Sequence, residues 1–404
     1  MCDEHVSSAA MVGGDPRPLA GVTVVDLTRV LAGPYCTLIL ANLGARVIKV
    51  ERPPLGDDAR LIGPFVGGKS LYFAALNYGK ESIALELRRD ENRAIFESLL
   101  GAADVLVENF RPGVLERLGY GWPTLRARWP RLVHAAVSGF GQSGPLRERP
   151  AFDMVAQAMG GILSLTGYPD QPPARVGVSI GDIAAGLFLA VGIASALLKR
   201  RDTGTGTMID VAMLDCQLAM LENALTNHLV TGVVPGRLGT RHPNIAPFQA
   251  FATGDDRMIV VCAGHPEHFA KLCRTIGRPE LLEDPRFASP DLRRQHADAL
   301  ERELEAVLRS RPAAEWLARF EAAGVPCGPV NSVADAVRSP QVAARHMVVE
   351  MPDPAIGRLF VAGNPIKLAD VPDPLDHRAP PELDADRAAI LEWLRGRSGD
   401  GRSR

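Results

Sequence analysis

Three groups of residues in this chain have types and spacings that could do chemistry. The first is a literal G-x-G-x-x-G at Gly139, Gly141 and Gly144. A dinucleotide site needs such glycines to open a helix whose N-terminus meets a pyrophosphate. Here Pro145 follows at once and Leu146-Arg147-Glu148-Arg149-Pro150 reads as loop, so no nicotinamide or flavin site is expected. The second is His265 and His268, spaced to share one helical face. Pro266 intervenes and no third ligand lies nearby, so these read as surface histidines at a helix start, and no metal centre is expected. The third is Asp182, which follows Gly181 and precedes Ile183–Leu198, sixteen residues without a charge. Read locally, Asp182 is a helix N-cap, its carboxylate accepting backbone N–H groups. The same physics allows another role: a carboxylate held at a helix N-terminus beside an apolar core could act as a nucleophile. The chain carries no G-x-S-x-G elbow, H-E-x-x-H or G-K-[ST] motif.

These residues must be positioned by a large scaffold. With 404 residues, 46% hydrophobic and 23% charged, the chain can bury a core without disulfides or a structural metal. A net charge of −2 and 5% aromatic residues exclude a basic, base-stacking nucleic-acid surface. Six scattered cysteines, none in C-x-x-C, read as reduced thiols of a cytoplasmic protein. The uncharged run at 183–198 is shorter than the roughly 20 residues a membrane span needs, and its Ala and Gly content suits a buried helix, so no membrane association is expected.

From Gly21 the pattern alternates: strands over Val22–Leu27, Arg46–Val50, Ser82–Leu87, Asp104–Val107 and Leu132–Val137, with helices over Gly33–Leu43, Asp90–Ala102 and Pro123–Trp129. Such alternation predicts βαβ units and a parallel sheet. A helical region follows (Ala151–Leu165, Asp182–Arg201, Ala212–Val230), then a Gly/Pro-punctuated linker over Gly232–Pro247. A hairpin pairs Phe248–Ala252 with Met258–Cys262, and helices run on to about Ala323. The expected organisation is a loose extension over 1–18, a large α/β domain over 19–231, a small α+β domain over 232–324, and a linker and C-terminal segment over 325–404 that returns to the large domain.

Several segments, in order, resemble the class III CoA-transferase family (the formyl-CoA transferase or CaiB/BaiF type). They are Leu19–Pro34 (LAGVTVVDLTRVLAGP), Leu43–Arg52 (LGARVIKVER), Val107–Gly113 (VENFRPG), Ser138–Pro145 (SGFGQSGP) and Gly324–Val330 (GVPCGPV). The resemblance implies an acyl-CoA:carboxylate CoA-transferase with a Rossmann-like large domain, a smaller domain and two interlocked subunits. Its substrates would be an acyl-CoA and a small carboxylic acid, with no metal and no permanently bound cofactor. Asp182 falls on the family's catalytic aspartate. Leu31, Ala32, Arg52, Leu85, Arg88, Asn109, Phe110, Arg111, Arg117 and Phe152 fall on positions that hold coenzyme A. Arginines suit its phosphates, and apolar walls suit its adenine and pantetheine.

The family also contains 2-methylacyl-CoA racemases, which carry a histidine where this chain has Phe152; phenylalanine cannot move a proton, which argues against racemisation. A non-catalytic CoA-binding protein is the remaining alternative, marked by an Asp182 paired with a cation. Formyl-CoA–oxalate members carry a glycine run where this chain has Arg237–Asn244, which is similar instead to members acting on succinate and glutarate. The distal carboxylate of such an acid needs a donor, for which Arg29, Arg241 and His242 are the candidates.

Overall fold

The computed structural model describes residues 15–373 and 377–399. The extension expected over 1–18 therefore lies, apart from 15–18, outside the described residues, as does Cys2. The chain forms two compact units. The first comprises residues up to Gly161, Gly177–Leu225 and everything from Gln341; the second comprises Ile162–Val176 and Thr226–Pro340.

The first unit is built on a six-stranded sheet. Its strands are β1 (Thr23–Asp26), β2 (Arg46–Glu51), β3 (Glu81–Ala84), β4 (Val105–Glu108), β5 (Val133–Ser138) and β6 (Met208–Ala212). All neighbours run parallel, in the order β3-β2-β1-β4-β5-β6. This is a doubly wound sheet, and parallel strands covered on both faces are largely apolar, with polar residues confined here mostly to their ends. β1, β4 and β5 are buried at every position. Successive residues of β1 serve opposite faces, as the strand period demands. Val24 packs with Cys36, Leu40, Ala184, Leu189 and Ile193, while Val25 packs with Phe96, Leu99, Leu106 and Ile390.

β6 was not anticipated: the sequence pattern assigns no element to residues 202–211, and Met208–Ala212 is short, partly exposed and directly followed by the Met213–Met220 helix. Its neighbour β5 leads into the G-x-G-x-x-G segment, which is a loop. Gly141 and Gly144 have positive φ, Gln142 donates its N–H to Asp210 of β6 at 2.9 Å, and the next helix starts only at Asp153.

The Ile180–Thr203 helix is 24 residues long, and its apolar window reaches a mean hydropathy of 2.0, but half of that window is buried. It packs along the Ala32–Asn42 helix and against β5 and β6 as a core element. At the far edge, β3 is closed by carboxylates from the C-terminal segment: Asp384 accepts from Ala84 N–H at 2.7 Å and Asp386 from Ser82 N–H at 2.9 Å.

The second unit holds a three-stranded antiparallel sheet of β7 (Phe248–Ala252), β8 (Met258–Cys262) and β9 (Cys327–Pro329), in the order β9-β8-β7. The hairpin has the expected bounds; β9 occupies part of what reads as linker. Its core gathers Phe251, Ile259, Val261, Phe269, Trp316 and Phe320.

Candidate active site

In a doubly wound sheet, ligands bind beyond the carboxyl ends of the strands where the order reverses, here between β1 and β4. The segments leaving those strands are Leu27–Leu31 and Asn109–Arg111, and they are stitched together. Arg29 N–H donates to the Asn109 side-chain carbonyl at 2.8 Å, the Asn109 amide returns a bond to the Arg29 carbonyl at 2.7 Å, and the Arg29 guanidinium lies 5.6 Å from the Phe110 ring centre. Phe110 N–H donates to Glu108 at 2.6 Å.

Beneath this loop lies a buried polar network. Asp26, at the end of β1, accepts from Thr28 N–H at 2.8 Å and from the Thr37 hydroxyl at 2.7 Å, and pairs with Lys80 at 3.2 Å. Lys49 pairs with Asp57 at 2.8 Å, with both side chains fully buried. Burial pushes the Asp26 carboxyl up, but Lys49 and Lys80 outweigh it and hold its pKa at about 2.

Asp182 stands in different surroundings. The helix begins at Ile180 after Ser179, so Asp182 lies within the first turn and is not the cap. That corrects the local reading: the peptide before Asp182 is already helical. Gly186, one turn further on and on the same face, is packed so tightly that a methyl group there would come within 2.7 Å of the Ala32 carbonyl. This seats the Asp182 turn beside the start of the Ala32–Asn42 helix.

Gly181 is equally confined. Its N–H donates to Asp153 at 2.8 Å, and a side chain there would meet that same carboxylate at 3.0 Å. Asp153 is buried and also accepts from the Gln157 amide at 2.8 Å. Among the described residues Asp182 forms no ion pair. Burial first, and then the Asp153 charge, push its pKa up to about 7. The helix N-terminus favours the ionised form, but at roughly 1 kcal/mol it is the weaker influence. Asp182 also adds to the rise in the pKa of the half-buried Tyr72 phenol, after burial and ahead of Asp57 and Asp153.

Of the sequence-expected residues, Arg29, Leu31, Ala32, Asn109 and Phe110 are thus brought to the strand ends where the order reverses. Arg111 and Arg117 are exposed on the chain that follows β4, and Arg88 is exposed beyond β3. Arg52, 80% exposed, reaches Glu86 at 3.6 Å after β2. Leu85 is buried in the core and its N–H is taken by the Glu51 carbonyl, so it offers a ligand no free side chain. Phe152 is 75% exposed, directly ahead of Asp153.

Arg241 and His242 belong to the second unit, where Arg241 bonds both Asp298 and Glu301 and His242 packs 5.2 Å from Phe248. His265 caps its own helix, and no metal-binding cluster occurs among the described residues. Sequence reading missed Asp153, Tyr72 and the Asp57–Lys49 pair. An Asp twenty-nine residues ahead of Asp182 carries no signal of proximity in one sequence.

Comparison with known proteins identifies the family. Residues 19–387 match the family model described as CoA-transferase family III. The acetyl-CoA:oxalate CoA-transferase of Acetobacter aceti is 48% identical over 92% of this chain and 95% of its own length. The succinyl-CoA:glutarate CoA-transferase of Mus musculus is 40% identical over 87% of this chain and 80% of its own. Among solved structures, a CAIB/BAIF family protein from Brucella suis superposes with a TM-score of 0.83 at 39% identity, covering 95% of this chain and 100% of that one.

Proposed function

The chain belongs to CoA-transferase family III and is a CoA-transferase; on that premise we propose that Asp182 is its nucleophile, that acyl-CoA lies across the β1 and β4 strand ends, and that the acceptor is a dicarboxylic acid. The observation that carries this reading is the state of Asp182: half-buried, without a cation, and held at a pKa of about 7. A structural carboxylate would be paired; an unpaired one in poor solvation is a stronger nucleophile once ionised.

In the proposed reaction the Asp182 carboxylate attacks the donor thioester carbonyl and expels CoA thiolate, leaving a mixed anhydride. The thiolate then attacks the aspartyl carbonyl, releasing the donor acid and leaving an aspartyl-CoA thioester. The acceptor carboxylate attacks that thioester to form a second anhydride, and the thiolate takes the acceptor acyl group and frees Asp182. Every intermediate is hydrolysable, so the closely packed turn around Gly181 and Gly186 serves to keep water out. Phe152, in the place of a racemase's histidine, offers no second acid or base, so the reading is transfer and not racemisation.

The two relatives compared here are named for oxalate and for glutarate, both dicarboxylates, which supports that acceptor class. Of the three candidate donors to the distal carboxylate, Arg29 fits best. It is half exposed at the β1–β4 crevice and, among the described residues, pairs only with the exposed Asp58 at 3.0 Å, whereas Arg241 already holds two carboxylates.

Two copies of the chain are proposed to interlock in the cytoplasm. Leu187, Phe188, Val191 and Leu198 leave an apolar face of the Asp182 helix uncovered, and the five described cysteines are free thiols. Purified protein incubated with acetyl-CoA or succinyl-CoA against oxalate, glutarate, mesaconate and monocarboxylates, each product identified by mass, tests the substrate reading. Transfer to dicarboxylates is expected. Transfer to monocarboxylates alone would overturn it.

A further inference from the structure

Val30 is the one residue of the β1 loop whose backbone is out of keeping with its side chain. Its φ is +66°, in the left-handed region, where a β-branched residue is an outlier. Such a conformation persists only where surrounding contacts over-determine it. Those contacts come from two fully buried charged residues outside the loop. Asp57 accepts the Val30 N–H at 2.9 Å and pairs with Lys49 at 2.8 Å, and Lys49 donates to the Thr28 carbonyl at 2.7 Å. The ion pair thus grips the loop on both sides of Arg29. Asp57 is fixed in turn: it accepts from Ala59 N–H at 2.9 Å, and its own N–H is held by Glu51 at 2.9 Å. Glu51 is anchored at the end of β2 by Arg60 at 2.7 Å and the Ser82 hydroxyl at 2.6 Å.

We infer that Asp57, acting with Lys49, is a positioning residue for acyl-CoA: the buried pair imposes on Thr28–Leu31 a backbone shape that valine would not keep on its own, and that shape binds the thioester substrate. Released from the pair, Val30 returns to extended or helical backbone and turns the peptide groups of Arg29 and Leu31 away. A glycine at position 30 would adopt the same shape without strain and so depend less on the pair. This inference rests on the reading that the β1 loop contacts acyl-CoA.

The test is a double-mutant cycle on the full-length protein, with CoA affinity by calorimetry and donor KM and kcat as readouts. In the wild-type background, Asp57→Ala is expected to weaken CoA binding and raise donor KM about tenfold, with kcat changed less than about threefold. In the Val30→Gly background, the same substitution is expected to cost less than about threefold. A merely structural Asp57 would cost the same in both backgrounds, and equal losses overturn the inference. Should the single variant not fold with Lys49 left unpaired, Asp57→Ala with Lys49→Met removes both charges and is judged by the same two ratios. Phe110→Ala separates the two readings. If Phe110→Ala weakens CoA binding and Asp57→Ala does not, only the clamp fails. If neither substitution affects CoA binding, the site itself lies elsewhere.

Discussion

Asp26 and Asp182 are carboxylates of the same unit, the first fully buried and the second half-buried, yet they are driven in opposite directions. Asp26 lies amid Lys80, Lys49, Thr28 and Thr37 and is held at about 2; Asp182 has only the Asp153 charge for company and rises to about 7. Burial raises both carboxyls, so it cannot be what separates them. The difference is pairing. One group's charge is matched by lysines beneath the β1 loop, and the other, among the described residues, has no cation beside it. Under the proposed reading, the paired carboxylate supports the β1 loop and the one without a cation is the nucleophile.

The largest expected effect breaks the reactive half of this contrast. Asp182→Ala should reduce CoA transfer by about a thousandfold or more while leaving CoA affinity within about threefold, because only the nucleophile is lost. Product mass and calorimetry measure the two quantities. In the wild type, hydroxylamine or borohydride added during turnover should mark Asp182 in a peptide map. Near-native turnover in the Ala variant would remove Asp182 from the chemistry.

The structural half should fail in stability. Lys80→Met strips Asp26 of its direct partner within a fully buried cluster, which at such sites costs about 3–5 kcal/mol. The melting temperature should fall by several degrees at neutral pH. Asp26 has a folded pKa below its ordinary value, so its contribution is present above about pH 4 and is lost as pH falls through about 2.

Asp182 has the opposite sign. Its folded pKa lies above its ordinary value, so the native state binds the proton more tightly than the unfolded chain, and stability declines as pH rises from about 4 to about 7. Asp182→Asn should therefore stabilise the protein by about 4 kcal/mol at pH 8 and by little at pH 4, as thermal melts at both pH values would show. For the same reason the wild-type kcat/KM should fall tenfold per pH unit below about 7. Asp153→Asn should shift that break to lower pH, since it removes the second cause of the rise. A pH profile that Asp153→Asn leaves unmoved would detach the two carboxylates.

This contrast also marks what one sequence shows. The sheet strands were legible because strands buried on both faces are rich in apolar, β-branched residues, as Val105-Leu106-Val107 is, and the Asp90–Ala102 helix has the bounds its pattern predicts. β6 was not, since a five-residue edge strand at Met208–Ala212 runs straight into a helix. Asp182 was visible because the apolar run after it was conspicuous. Asp153 and Asp57 were not visible, because their importance comes from tertiary contacts: a Gly181 N–H in one case, a Val30 N–H in the other. The left-handed backbone at Val30 has no sequence signature at all, for the residue type argues against it.

The smallest expected effect sharpens the contrast at the substrate. Arg29 and Arg241 are both partly exposed guanidiniums, but Arg241 is held between Asp298 and Glu301, while Arg29 has one exposed partner, Asp58, and faces Phe110. A cation whose charge is already matched gains little from a further carboxylate, and a surface pair such as Arg29–Asp58 is cheap to exchange for one, at roughly 0–1 kcal/mol. Arg29→Ala should therefore raise KM for a dicarboxylate acceptor about tenfold and for a monocarboxylate less than about threefold. Arg241→Ala should move both acceptors alike, by about threefold or less, because it loosens the second unit without removing a substrate contact. If the acceptor-dependent loss instead follows Arg241, the assignment of the distal carboxylate to Arg29 falls.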